Sequence, residues 1–413
     1  MNKELEIVFA GIIFVALVSG CVSQQTSEYP ASIPSEGYEN LVNNVQNQQA
    51  NINPTIEKTG HGENEIENSD GCEGTRTKFD FAPVNLDKTK VFLPLGLMTG
   101  GHVTPIDHHY FQNFDNNKVD IEIYSPGDGF AREIQHMPGA KSGEDYRVVI
   151  KHTCTISSTY IHIYHLAGKL AEVNFGTRDF AAPNIPVEAG ELIGYYETNV
   201  DYNLVDEEVI LTGFVRPESY RAETWKIHVP NTYDYFNEPV RTKLIEKSLR
   251  TAEPISGKID YDIDGRLVGN WFIEGTDGYA GDSTSTERYW LGHLAIAYDA
   301  YDPTRIVFSI ANYQGEDSRQ FAVKGNTPDP ADVSMENGLV EYELVGYDYV
   351  TSSGSYWDRK SLLKDIKTTP NQNIEGVVLV QMIGPREIKF ETFPEKTASQ
   401  VSEFTENAKI YER

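Results

Sequence analysis

From about residue 78 to the C-terminus, apolar and polar residues alternate in short runs that end at turns. Val119-Asp120-Ile121-Glu122-Ile123-Tyr124 follows a period of two, and Arg147-Val148-Val149-Ile150-Lys151-His152 and Thr159-Tyr160-Ile161-His162-Ile163-Tyr164 are short apolar runs of strand length. That period puts successive side chains on opposite faces of a half-buried strand, and a helix cannot satisfy it. Gly127-Asp128-Gly129 and Glu188-Ala189-Gly190-Glu191 supply turns between the runs. A second series begins after Ile255, with strands expected within 267–272, 291–298, 305–310, 338–344, 376–382 and 389–393. Many short strands at regular spacing indicate an antiparallel barrel or sandwich. Between the two series, residues 239–251 place Val240, Leu244, Ile245 and Leu249 on one helical face. Thr251-Ala252-Glu253-Pro254 ends that helix and marks a domain boundary. A short closing helix is expected over 397–410. The expected fold class is all-β: two antiparallel β-rich domains, 77–253 and 254–413, the second a barrel or sandwich.

Charge narrows the partners. Lys and Arg total 35 against 62 Asp and Glu, a net −27 over 413 residues. Such a surface repels phosphate backbones, so general nucleic-acid binding is excluded. It also repels anionic lipid, so any membrane attachment must come from something other than charge.

Residues 7–20 form an uncharged apolar run, too short for a comfortable membrane span. Small residues follow, in Leu17-Val18-Ser19-Gly20-Cys21. This string resembles the lipobox of prokaryotic lipoproteins, which implies lipidation at Cys21 after removal of a signal peptide, residues 1–21. The resemblance implies a lipid-anchored protein on the extracytoplasmic face of the cell membrane. Residues 22–76 carry nine acidic and two basic residues and are rich in Asn and Gln. They cannot bury enough apolar surface to offset chain entropy and read as a disordered tether, with a span of about 40 Å. In an oxidising compartment the two remaining thiols, Cys72 and Cys154, are expected to form a disulfide.

Seven of the ten histidines lie between His102 and His165. Imidazole is the commonest neutral metal ligand and the usual general base near neutral pH. Three strings resemble the lysostaphin-type zinc peptidases, which cut peptidoglycan cross-bridges. They are residues 120–129, residues 149–152 together with Tyr164-His165-Leu166, and the hairpin Ile185–Gly194. The resemblance covers roughly residues 90–235. It implies zinc held by a His-x-x-x-Asp pair and by the second His of a late His-x-His. Here Glu122 falls at the ligand Asp position and Lys118 at the ligand His position. Leu211-Thr212-Gly213-Phe214-Val215 is the expected late strand, with Thr212 in place of His. His165 keeps a family catalytic position. An ammonium at position 118 opposes a divalent cation.

Two readings of the remaining histidines stay open. His102, His108 or His109 could join Glu122 or Asp107 in a relocated zinc site. Alternatively, Thr104-Pro105-Ile106-Asp107-His108 is a hydrogen-bonded turn. His108 and His109 point to opposite faces if they lie on a strand, so at most one enters a given site. His152 and His162 read as ordinary sheet-face residues, and Trp225-Lys226-Ile227-His228 as an edge strand. Asp260-x-Asp262-x-Asp264-Gly265 has calcium-loop spacing but Trp271 at the twelfth position instead of Glu. Gly269-Asn270-Trp271 resembles the Gly-x-Trp of lipocalin-like barrels, which implies a small-ligand cavity. The expected role is non-catalytic binding or scaffolding of an envelope glycan or protein. The rivals are a zinc hydrolase with a rearranged site and a small-ligand-binding barrel.

Overall fold

The computed structural model describes residues 77–113, 119–137, 144–281, 289–315 and 318–413. The signal peptide, the tether, Cys21, Cys72 and Lys118 lie outside the described residues.

The alternating runs form strands as expected. The first series gives β1 (Val91–Leu93), β2 (His109–Gln112), β3 (Ile121–Tyr124), β4 (Gly129–His136), β5 (Tyr146–Lys151) and β6 (Ile156–Ile163). It continues with β7 (His165–Leu166), β8 (Phe180–Ala181), β9 (Ile185–Val187), β10 (Leu192–Tyr196) and β11 (Asn199–Asp206). The larger sheet has the order β1-β2-β11-β6-β5-β4, and both β8 and β9 pair with β4. A small sheet, β3-β10-β7, covers one face of it. Phe92, Phe111, Tyr160, Val200 and Tyr202 from the large sheet pack with Ile121, Ile123 and Ile193 from the small one. Each such side chain, taken from water to a core, contributes about 1.5–3 kcal/mol. The one α-helix among the described residues, α1 (Val240–Lys247), buries Leu244 against this core.

The second series gives β12 (Gly269–Ile273), β13 (His293–Tyr298), β14 (Ile306–Ile310), β15 (Arg319–Val323), β16 (Leu339–Val350), β17 (Lys367–Gly384), β18 (Glu387–Pro394) and β19 (Lys409–Glu412). Each strand pairs with the next, and β19 pairs back onto β12, closing an up-and-down barrel. Its interior is filled by Trp271, Phe308, Phe321, Tyr342, Phe390 and their neighbours. The Arg413 guanidinium lies 4.0 Å from the Trp271 ring centroid and donates to Val268 O and Ile263 O, sealing one end. Two apolar clusters weld barrel and sheets together. One joins Val91, Leu93 and Leu249 to Tyr301, Tyr349 and Trp357; the other joins Leu95, Phe214 and Val229 to Phe272 and Tyr279.

Three expectations need correction. Residues 397–410 hold a single 3-10 turn, Ala398–Gln400, boxed by Thr397 and Gln400, and no helix. The barrel needs β19 to satisfy the edges of β12 and β18, and strand pairing wins there. Leu211–Val215 is not a strand; Gly213 and Val215 donate their backbone N–H groups to Asp260 and Asp262. Residues 224–228 form a 3-10 turn, not an edge strand, and it buries Lys226.

Candidate functional site

Strand alternation on β11 assembles a polar face. Val200, Tyr202 and Leu204 enter the core between the sheets, so Asp201 and Asn203 project from the opposite side. Asp201 stands across from Tyr110 on β2 and Ile161 on β6. His108 precedes β2. On β6 the register breaks: Arg147 pairs with Ile161 and Tyr146 with Ile163, leaving His162 unpaired in a bulge. His162 takes φ +74°, a left-handed conformation unusual for a residue with a side chain. The extra residue keeps Tyr160 and Ile163 both in the core and brings the His162 imidazole to Asp201.

The result is a line in which acidic and basic side chains alternate, buried for most of its length. Glu223 Oε2 lies 2.9 Å from Lys226 Nζ, which lies 3.0 Å from Asp107 Oδ1. Asp107 Oδ1 is 3.2 Å from His108 Nδ1, and His108 Nε2 is 3.3 Å from Asp201 Oδ2. His162 Nε2 is 3.7 Å from Asp201 Oδ2, and its Nδ1 is 2.9 Å from Asp145 Oδ2. Trp225 Nε1 and Asn203 Nδ2 donate to the second Asp107 oxygen at 2.9 and 3.5 Å. Tyr279, from the segment between β12 and β13, places its ring 4.4 Å from the Lys226 ammonium. Asp107, Asp145, Asp201 and Lys226 are all buried.

Burial alone would neutralise these groups; the partners reverse that for Lys226, Asp107 and His162, whereas burial outweighs the partners of Asp201 and Glu223 and holds both carboxyls above their ordinary range. Burial lowers the proton affinity of Lys226, but Asp107 and Glu223 outweigh it and hold the lysine above its ordinary range. Burial opposes ionisation of Asp107, but Lys226 and His108 hold it well below the usual carboxylate range. His162 is pulled down by burial and lifted more by Asp201 and Asp145, to about 9, so it is cationic at neutral pH. His102 is pushed down to about 3, first by burial and then by the neighbouring His108 ring and Lys226 ammonium, and stays neutral.

The structure separates the other residues singled out from the sequence. His102 sits edge-on to His108, ring centroids 5.6 Å apart. His109 faces the core, with Nδ1 2.9 Å from Leu93 O and Nε2 2.9 Å from Thr232 Oγ1. Glu122 lies in the small sheet, bound by Lys88 Nζ at 2.6 Å and Asn85 Nδ2 at 2.9 Å. His165 is exposed beside Tyr164. Tyr195 pairs with Glu122 on one side and His165 on the other. Those two residues are therefore two strand spacings apart, about 10 Å, and Glu122 is held by Lys88 and Asn85 instead of by His165. Asp145, His162, Asp201, Glu223 and Lys226 were not singled out as site residues. The strand that follows the Ile185–Gly194 hairpin is β11, which carries Asp201 and Asn203, whereas Leu211–Val215 lies outside any strand.

The resemblance implies zinc, and the gathered residues do not fit it. The Lys226 ammonium occupies Asp107, the carboxylate a divalent ion would need. Among the described residues, no group of three or more His, Cys, Asp or Glu side chains is arranged to hold a metal. The Asp260 run does not form a calcium loop either. Asp260 binds Gly213 N and Lys258, Asp262 binds Asn270 N and Arg413, and Asp264 binds Arg386. Cys154 is half-buried between β5 and β6.

No protein family matches the chain, and no curated protein does. Among solved structures, it is similar to a zinc-containing peptidase from Vibrio cholerae, at 17% identity and a TM-score of 0.22. That match covers 31% of this chain and 36% of the other.

Proposed function

We propose that the chain is a lipid-anchored extracytoplasmic protein whose first β unit binds or scaffolds at the cell envelope without hydrolysing it. One observation carries this reading: the buried ammonium of Lys226 sits on Asp107 and Glu223. An ammonium balances the carboxylate charge, but it has no open coordination position, lowers the pKa of no bound water and polarises no carbonyl as a Lewis acid. The peptidase-like strings then describe a scaffold whose reactive position has been filled by a side chain. In the barrel, the packed interior around Trp271 favours a structural role over a small-ligand cavity. The Leu17–Cys21 string supports the anchor, and the acidic surface favours an envelope glycan or protein over nucleic acid as partner.

The test is to incubate the purified full chain, with added zinc, with peptidoglycan and with a denatured protein substrate. Released amines and co-sedimentation with insoluble envelope material are both followed. Co-sedimentation without release is expected. Catalytic, zinc-dependent release that disappears in His108→Ala would replace this reading with that of a hydrolase.

A further inference from the structure

A groove between the two parts of the molecule has a charge opposite to the rest of it. The chain carries −27, yet an open groove of about 670 Å³ is lined by Lys88, Lys90, Lys247 and Lys360. The acids in its wall are Asp87 and Asp358. Asp358 is committed to its own loop. One oxygen accepts from the backbone N–H groups of Lys360 and Ser361 at 2.8 and 2.7 Å, and the other from Ser361 Oγ at 2.6 Å. Lys88 reaches Glu122 at the rim. Lys247 spends one of its three N–H groups on Thr89 O, at 2.8 Å.

The walls are fixed. Thr89 is buried, with its hydroxyl on Asn85 O at 2.8 Å and 2.7 Å from Tyr196 OH. The barrel loop that carries Lys360 is pinned by Trp357, whose backbone N–H donates to Tyr349 O and whose indole donates to Ser361 O. Thr251 Oγ1 donates to Asp365 at 2.8 Å, and Lys364 Nζ donates to Ile245 O, tying that loop to the end of α1. The backbone segments that carry lysines from two distant parts of the sequence are thus held around one space, and Lys247 is fixed there by Thr89 O.

We infer that this groove binds a compact phosphate-type oxyanion, such as a phosphomonoester or a pyrophosphate group. Lysine ammoniums are strongly hydrated point charges with several donors, suited to the oxygens of a dianion. The surrounding acidic surface repels an extended polyanion and leaves room for a small one. This goes beyond the envelope-binding reading and does not depend on it. The phosphate could belong to a soluble ester or to a lipid headgroup.

Calorimetric titration of the full chain at low salt, with sodium pyrophosphate and with glycerol 3-phosphate, tests the site. Vesicles of phosphatidylcholine with and without phosphatidylglycerol form the second arm. Saturable binding of one equivalent is expected, weakened about tenfold or more in Lys247→Gln/Lys360→Gln and by added salt. Lys360→Glu, on an exposed loop, serves if the double variant melts early. Variant-sensitive binding in solution assigns a soluble ester, and variant-sensitive binding only to the anionic vesicles assigns a headgroup. No saturable binding at millimolar probe, or equal binding by wild type and variants, would overturn the proposal.

Discussion

The Nζ of Lys226 lies 3.0 Å from Oδ1 of Asp107, and both side chains are less than a tenth exposed. A buried pair of this kind adds little stability against an apolar pair of the same shape, but breaking it leaves an uncompensated charge in the interior. Its presence links a turn near residue 226 to the loop before β2 through a contact that neither segment makes locally.

Lys226→Met is therefore expected to destabilise the fold by about 3–5 kcal/mol, since it strands Asp107 and Glu223 without their cation. Adding Asp107→Asn should recover part of that loss. Urea unfolding of the two single variants and the double variant measures the coupling; additive losses would mean that the pair does not act as one unit.

His162 gives the chain a pH signature. Its ordinary value of 6.5 is raised to about 9 in the folded state by Asp201 and Asp145, against burial. Below about 6.5 both folded and unfolded states hold the proton, and the stabilisation is complete. Between 6.5 and 9 the unfolded state releases the proton first, and the stabilisation declines, to be lost above about 9. Subtracting the unfolding profile of His162→Gln from that of the wild type should show this decline. An NMR titration of the His162 ring with a midpoint near 6.5 would contradict it.

The same residue is backbone-strained, at φ +74°. A left-handed residue with a Cβ costs about 1–2 kcal/mol relative to glycine. His162→Gly and His162→Ala both lose the imidazole, but only glycine relieves the backbone. His162→Gly is thus expected to be more stable than His162→Ala by about 1 kcal/mol in thermal or chemical denaturation. The opposite order would mean that the bulge relaxes when the ring is removed.

Strand positions were legible because short apolar runs bounded by turns are a local signal: β3 lies where Ile121–Tyr124 alternates, and β5 and β6 lie over the apolar runs at 148–150 and 160–163. A helix was legible from Val240, Leu244 and Ile245, but it stops at Lys247 and not near Thr251, and Leu249 lies beyond it, packed with Val91 and Tyr301. Barrel closure was not, because β19 is a short strand whose identity depends on unpaired edges elsewhere. The charge line was not legible either. Its members come from residues 107, 108, 145, 162, 201, 223 and 226, and the position of His162 depends on a bulge that interrupts a strand. His109 had the right residue type for a ligand, but strand alternation turns it away from His108 and into the core.

Anchoring has its own test. Cys21→Ser should shift the protein from the membrane fraction to the soluble fraction and abolish labelling by radioactive fatty acid. Two acyl chains give stable attachment, and no helix among the described residues is long and apolar enough to cross a membrane. Unchanged membrane retention in this variant would point to another mode of attachment.

The most direct measurement is the metal content of the purified full chain, equilibrated with one equivalent of zinc, passed through a desalting column and analysed by mass spectrometry of the elements. Far less than one zinc per chain is expected, because the Lys226 ammonium already occupies Asp107. One retained zinc per chain, lost in His102→Ala or His108→Ala, would show that the lysine yields to a metal and that the site is a working metal centre.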